Sequence, residues 1–398
     1  MSLAAGLLLF LIGLLALLWL GQAIAALRGM PTLPDLTQLD PPPSTTPDSD
    51  VPDLTVIVPA CNEEPNIAAT LRSLLASTGL RLEILAVNDR SADRTGAIMD
   101  QAAGEAASSA SPHTLRILHI ADLPEGWLGK PHAMATVAAQ ASAPWLLFTD
   151  GDVLFAPDAL ARALHFAQAG RADHLVLVPT LIVHSRAEQA MQAAMQVLAQ
   201  WAVRLWKVAD PRARDFIGVG GFNLMRSEAY QSAGGFESLR MEVLDDMRMG
   251  WKLKRTGNRS LVVLGPGLVR IRWIAGALSV IRLIEKNGFA TYRFRLALHL
   301  IASLGLVLQA ILPLAAFFAG RWAAIAGAIL WLGIGLTYWA NRRLTRTGLW
   351  AALFFCPCTA IVAYAFLRSM ALALMRGGIR WRGTFYPLAI LRRNAGSW

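Results

Sequence analysis

Charge and cysteine are both scarce in this chain. Only 16% of its 398 residues are Asp, Glu, Lys or Arg, while 55% are hydrophobic; an average soluble domain has about 25% charged residues. That balance excludes a disordered chain and points to membrane segments added to a globular part. The 3 cysteines cannot build a disulfide framework. Cys61 stands alone, and Cys356 and Cys358 fall in an apolar run, so neither an oxidised secreted scaffold nor a zinc site is indicated. Two glycine signatures are also missing. No Gly-x-Gly-x-x-Gly follows the first expected strand, which speaks against a dinucleotide oxidoreductase, and no Gly-x-x-x-x-Gly-Lys-Ser/Thr marks a P-loop. No repeat with a period of about 20 to 50 residues is evident. The net charge of +10 comes from arginines that largely border apolar segments. Anionic lipid and membrane topology account for it better than nucleic acid, for which no binding motif is visible.

Four apolar runs are long enough for the bilayer, where about 20 residues span the hydrocarbon core. The first, Leu3 to Ala26, carries no charge. It reads as a retained anchor, because no Lys or Arg precedes it and it exceeds the apolar core of a secretory signal. The others are Leu296 to Gly320, Trp322 to Ala340 and Leu349 to Leu367. Arg28, Arg293, Arg295, Arg342, Arg343 and Arg346 place the long middle region on the cytoplasmic side of an inner (plasma) membrane. The last run conflicts with the same rule, since a fourth crossing carries Arg376, Arg380, Arg382, Arg392 and Arg393 outside. Pro357 permits a kinked or re-entrant segment instead. Four membrane segments are expected, with the side of the C-terminus left open.

A proline-rich stretch up to Val51 reads as a linker or stalk. Beyond it, short β-branched runs alternate with helical patterns. Strands are expected at Leu54 to Pro59, Leu82 to Val87, Leu115 to Ile120 and Trp145 to Phe148. Helices are expected at Asn66 to Ser77, Arg94 to Ala107 and Pro131 to Ala141. Such a βαβ series predicts an α/β fold with a mostly parallel sheet that binds ligands beyond the strand C-termini. An amphipathic interfacial helix or a plain buried helix is expected over Leu268 to Ile284, where arginines alternate with apolar residues.

The chemically loaded groups fall at those strand ends. Ala60-Cys61-Asn62-Glu63-Glu64 follows the first strand, and Asn88-Asp89-Arg90-Ser91-Ala92-Asp93-Arg94-Thr95 follows the second. Carboxylates there suit a uracil imide or a ribose hydroxyl, although Ser91 and Asp93 equally suit helix caps. Asp150-Gly151-Asp152 ends the fourth strand, and two carboxylates one residue apart suit a hard cation such as Mg2+ or Mn2+ on a diphosphate. Lys130 opens a helix after a glycine-punctuated turn and suits a phosphate. Gly218-Val219-Gly220-Gly221 lets backbone approach a ligand, and one of Asp245 and Asp246 suits a general base for an acceptor hydroxyl. Each feature alone has a bland alternative: a turn, a solvated lysine, or charge complementing a helix dipole.

In order, Pro59-Ala60-x-Asn62-Glu63-Glu64, Asn88-Asp89-x-Ser91-x-Asp93-x-Thr95, Gly126-Trp127-Leu128-Gly129-Lys130, Asp150-x-Asp152, Gly220-Gly221-Phe222-Asn223-Leu224-Met225-Arg226 and Asp245-Asp246 resemble the family 2 glycosyltransferases of the GT-A fold. The likeness is strongest to membrane-bound members related to hopene-associated and diaponeurosporenoate glycosyltransferases, and covers about Leu54 to Arg295. It implies Glu63, Asp89, Lys130 and Asp150 at the nucleotide donor, Asp152 with Asp150 at Mg2+ or Mn2+, and Asp246 with Asp245 at the catalytic base. It implies an inverting transfer of one sugar, from a UDP-sugar, to a lipophilic acceptor such as a polyisoprenoid, carotenoid or hopanoid-type lipid. The Gln-x-x-Arg-Trp motif of processive synthases is absent, and the corresponding region reads Ile284-Glu285-Lys286-Asn287-Gly288-Phe289. A processive synthase and an inactive scaffold of the same fold are the alternatives. The expected organisation is an anchor over 1–27, a linker over 28–53, the catalytic domain over 54–295, about three membrane segments over 296–375, and a basic tail over 376–398.

Overall fold

The computed structural model describes residues 2–40, 51–109 and 111–395. These form two compact units, one from 34–182 with 207–272, the other from the N-terminal residues through Leu33 with 183–206 and 273–395.

The first unit is α/β. Its strands, in chain order, are β1 (Leu54–Ala60), β2 (Leu82–Asp89), β3 (Thr114–Ile120), β4 (Trp145–Phe148), β5 (Val153–Phe155), β6 (His174–Val178), β7 (Thr180–Leu181), β8 (Asn223–Arg226), β9 (Ser260–Leu264) and β10 (Val269–Ile271). Among the described residues the main sheet has seven strands in the order β3-β2-β1-β4-β8-β6-β9. Every neighbour pair is parallel except those of β8, which runs antiparallel to β4 and β6. A smaller sheet joins β5, β10 and β7.

Side-chain alternation builds two cores. Val56, Val58, Ile84 and Leu147 point to one face, with Ile67, Leu71 and Leu74 of helix Ile67–Leu75 and Leu160 and Leu164 of helix Ala159–Ala169. Ile57, Leu85, Val87, Leu146 and Phe148 point to the other, with Ala133, Met134 and Val137 of helix Gly129–Ala138 and Met249 and Leu253 of helix Asp245–Arg255. Each fully buried Leu, Ile or Val contributes roughly 1.5 to 3 kcal/mol. Central β1 is buried at all its positions, whereas edge strand β3 alternates with exposed residues. The expected strands and helices through Phe148 are all present, with ends shifted by a few residues.

Two sequence expectations are refined. Pro34 to Leu39, within the expected linker, packs on this unit: Leu264 N–H donates to the Pro34 carbonyl, and Arg162 Nη1 donates to the Leu36 and Leu39 carbonyls. The remaining residues 41–50 lie outside those described. Leu268 to Ile284 is not one helix. Val269–Ile271 is β10, and helix Val280–Thr291 begins only after the turn Ala277–Ser279. The β-branched residues of 269–271 are captured by pairing with β5 and β7, a non-local event that periodicity does not report.

The second unit is helical. Leu3–Gly29, Leu296–Ala315, Arg321–Ala340 and Phe355–Met375 supply four helices long and apolar enough to cross a membrane. Leu3–Gly29 packs on Arg321–Ala340 at Gly333, where a Cβ would lie 3.0 Å from the backbone of Trp19 and Leu20. Small residues permit that approach in apolar helices. Leu7, Leu17, Phe318 and Leu353 stay exposed around this core, as a lipid-facing surface requires.

Candidate active site

Strands β1, β2 and β4 are parallel, so their chain exits share one sheet edge. Strand β8 is antiparallel to β4 and therefore enters at that same edge. Four loops of distant sequence thus converge where the polar residues stand.

The first two loops are laced together. Backbone N–H groups of Asn62, Glu63 and Glu64 donate to Ser91 Oγ at 3.0 Å, Thr95 Oγ1 at 2.8 Å and Asp93 Oδ2 at 3.2 Å. In return, Ala92 N–H donates to Asn62 Oδ1 at 2.8 Å and Arg94 N–H to Glu64 Oε2 at 3.1 Å. Asp93 Oδ1 also accepts from Thr95 N–H at 3.0 Å. Asn62 and Arg90 take left-handed backbone, with φ of 55° and 53°. Asn62, Ser91, Asp93 and Thr95 therefore shape the loops, and both helix capping and loop bracing are served.

Asp89 ends β2, is almost wholly buried, and receives the neighbouring Arg90 guanidinium in a two-pronged pair: Nε to Oδ1 at 2.7 Å and Nη2 to Oδ2 at 3.1 Å. Gly129 lies against this pair, since a Cβ there would be 2.5 Å from both Arg90 Nη2 and Asp89 Oδ2. The next residue, Lys130, donates from Nζ to Asp150 Oδ1 at 2.6 Å and lies 3.6 Å from Asp245 Oδ2. Burial works to lower the Lys130 pKa, but Asp150, Asp245 and Asp246 together hold it well above the usual lysine range. Lys130 is thus a permanent ammonium among carboxylates.

Asp150 also faces Gly220, where a Cβ would come within 2.6 Å of Asp150 Oδ2. Asp152 is pushed up to about 7 by burial and by the neighbouring carboxylates of Asp150 and Glu63. Among the described residues no group of three His, Cys, Asp or Glu side chains is placed to hold a metal alone. The donor set fits a hard divalent cation that takes one or two protein carboxylates and completes its shell from substrate phosphates. Carboxylates crowded enough to raise Asp152 are the electrostatic condition such a cation relieves.

Asp245 and Asp246 open helix Asp245–Arg255, whose N-terminal N–H groups favour negative charge. The two carboxylates differ in surroundings. Asp245 is buried and faces Lys130, whereas Asp246 is half-buried and accepts from Gly220 N–H at 2.8 Å and Met247 N–H at 2.7 Å. Burial and then Asp245 raise the Asp246 acid to about 6, against the opposing pull of Lys130 and Met247 N–H. Close backbone approach sets this geometry. A Cβ on Gly250 would lie 2.0 Å from the Ile217 carbonyl oxygen, so the loop before β8 rests directly on the helix.

The residues expected from sequence therefore form one connected cluster: Asp89 touches the Gly129 backbone, Lys130 joins Asp150 and Asp245, and Gly220 joins Asp150 and Asp246. Glu63 and Asp150 both act on the Asp152 carboxylate, and a Cβ on the intervening Gly151 would lie 3.5 Å from Glu63 Cγ. Sequence reading missed Arg90 as the partner of Asp89, and Gly250, whose place inside a charged helix was the available signal. It also missed the buried strut beneath the cluster, in which His174 Nε2 contacts Asn223 Oδ1 at 2.6 Å and Nδ1 contacts Ser260 Oγ at 3.0 Å. Burial takes His174 down to about 4, so it stays neutral.

Residues 55–233 match the family described as Glycosyl transferase family 2. The chain is 23% identical over 199 residues to 4,4'-diaponeurosporenoate glycosyltransferase of Staphylococcus aureus strain MRSA252, covering 50% of each. The protein of the same name from strain USA300 gives the same identity and coverage. The chain thus spans about half the length of the curated relatives it matches. Among solved structures, the mannosyltransferase PcManGT from Pyrobaculum calidifontis, in complex with GDP-Man and Mn2+, aligns over 92% of this chain and 99% of its own, with TM-score 0.51 and 18% identity. The shared fold is the GT-A type.

Proposed function

We propose that this chain, whose residues 55–233 match the family described as Glycosyl transferase family 2, moves a single sugar from a nucleoside diphosphate, UDP in our reading, to a lipid acceptor held in the bilayer. The acceptor hydroxyl, relieved of its proton by Asp246, attacks the anomeric carbon on the face opposite the departing diphosphate, so configuration inverts. The C–O bond to the diphosphate breaks as the acceptor C–O bond forms, and the proton resides on Asp246.

One observation carries the reading: Lys130 sits between Asp150 and Asp245 while Gly220 N–H fixes the Asp246 carboxylate beside them. A base near pH 6 is matched to a hydroxyl whose proton leaves only as the new bond forms. Asp245 keeps Lys130 in place, so the cation is not left to neutralise the base fully. Glu63 and Asp89, at the ends of β1 and β2, serve the nucleoside. Asp152 with Asp150 would hold Mg2+ or Mn2+, which when bound offsets charge on the diphosphate.

Four apolar helices in the same chain support an acceptor that stays in lipid. The relatives' name points to a carotenoid acid; with a carboxylate acceptor no proton need be removed, and Asp246 would orient it instead. The absence of Gln-x-x-Arg-Trp around Ile284 to Phe289 supports one sugar per acceptor.

Isolated membranes supplied with UDP-glucose and a lipid extract test the proposal. Asp246→Asn and Asp152→Ala are each expected to lose at least about 10²-fold in sugar incorporation, the usual contribution of a positioned base. Unchanged incorporation in both would remove these residues from the mechanism.

A further inference from the structure

Helix Phe355–Met375 is apolar and of spanning length, yet its two ends meet the same side of its own unit. Helices Leu296–Ala315 and Arg321–Ala340 are joined only by residues 316–320 and pack antiparallel: Trp331 Nε1 donates to the Pro313 carbonyl, and Gly327 lies against Ala316. The start of the first and the end of the second therefore share one membrane face.

The chain leaves that face at Asn341 and turns inward through the 3₁₀ segment Leu349–Phe354. Phe355 is fully buried, its ring edge-on to Trp19 at 5.1 Å and near Tyr338 at 6.5 Å. Tyr338 lies in the last turn of its helix, so Phe355 enters near the face from which the chain set out. Pro357 falls in the first turn of Phe355–Met375, where a missing N–H breaks no bond, and it marks the change of direction.

The second half of the helix, through Arg376 just past its end, returns to that face. His299, in the first turn of Leu296–Ala315, contacts the Phe366 carbonyl through Nε2 at 3.0 Å. Glu285, upstream of that helix, receives Arg368 and also Arg376, the latter at 2.8 Å. Ser369 Oγ donates to the Glu285 carbonyl and accepts from Phe289 N–H. Between its ends the helix packs Cys358, Val362 and Ala365 on Met191, Val280 and Ile284 of two amphipathic helices.

We propose that Leu349 to Met375 is a re-entrant element, so that the chain crosses the bilayer three times and the arm 376–395 lies on the leaflet surface from which that element entered. The arm suits an anionic lipid surface. Hairpin Gly378–Trp381 with Thr384–Pro387 and helix Leu388–Asn394 expose Arg380, Arg382, Arg392 and Arg393 beside Phe385 and Ile390. A true crossing would place these arginines, with Arg376, on the opposite face from Arg342 and Arg343.

Single cysteines at Arg321→Cys, Arg342→Cys and Ala389→Cys, in a chain with Cys61, Cys356 and Cys358 replaced by serine, are labelled with an impermeant maleimide in sealed vesicles of each orientation. Positions 342 and 389 are expected to label together, and 321 from the other side. Labelling of 389 with 321 overturns the proposal. A C-terminal epitope tag on the chain with native cysteines, probed with protease in the same vesicles, gives an independent reading if the substituted background misfolds. Neither readout depends on sugar transfer.

Discussion

Gly218 and Asp246 approach so closely that a Cβ on the glycine would lie 1.8 Å from the aspartate's carbonyl oxygen. Backbone rests on backbone there, at the first turn of the helix that carries the proposed base.

Gly218→Ala therefore has to push the loop away from the helix, and Gly220 N–H with it. Overpacking of this kind costs roughly 1 to 3 kcal/mol, and displacement of a reacting group by about 1 Å lowers the rate on the order of 10²-fold. The expected outcome is a folded protein, by circular dichroism, with sugar transfer reduced about that much. Full activity would mean that the Gly220 contact to Asp246 is dispensable.

The pH profile follows from Asp246. As base it must be ionised, and its acid form persists in the folded protein up to about 6. Toward a hydroxyl acceptor, kcat/KM is expected to hold above that value and to fall about tenfold per pH unit below it, since only the carboxylate fraction is active. A profile flat down to about pH 5 would deny Asp246 this role.

Lys130→Met removes the cation between Asp150 and Asp245. Leaving buried carboxylates uncompensated destabilises by roughly 3 to 5 kcal/mol at most. Because Lys130 is a group that lowers the Asp246 pKa, its loss is expected to move the acidic limb of kcat/KM to higher pH as well as to reduce its plateau. A merely structural lysine would reduce the plateau and leave the limb in place.

Asn62→Ala breaks the acceptor of the Ala92 N–H and puts alanine at a φ of 55°. The left-handed backbone costs an ordinary residue about 1 to 2 kcal/mol, and the lost hydrogen bond about 1 more. Since the laced loops carry Glu63 and Asp89, KM for the nucleotide donor is expected to rise more than kcat falls. The check is a donor titration at saturating acceptor.

Chelation supplies the last prediction. EDTA is expected to abolish transfer, with Mn2+ or Mg2+ restoring it in wild type and not in Asp152→Ala. Transfer undiminished by EDTA would leave Asp150 and Asp152 without a metal to hold.

Much of this was legible in the sequence because it is local. Leu-Thr-Val-Ile-Val-Pro reads as a buried strand wherever it lies, and apolar runs of about 20 residues read as membrane helices from length alone. Asp89, Asp150, Asp152 and Asp246 stood out because they follow strands or open a helix. Tertiary structure decided which carboxylate meets which partner. The place of Lys130 between Asp150 and Asp245 and the hold of Gly220 on Asp246 join loops far apart in the chain, the second because β8 enters the sheet against the direction of β4. Val269–Ile271 became a strand for the same kind of reason, by pairing with segments about a hundred positions away. Periodicity encodes which face of an element is apolar, whereas charge pairing needs separations of a few ångström between distant loops, and only the packed chain fixes those.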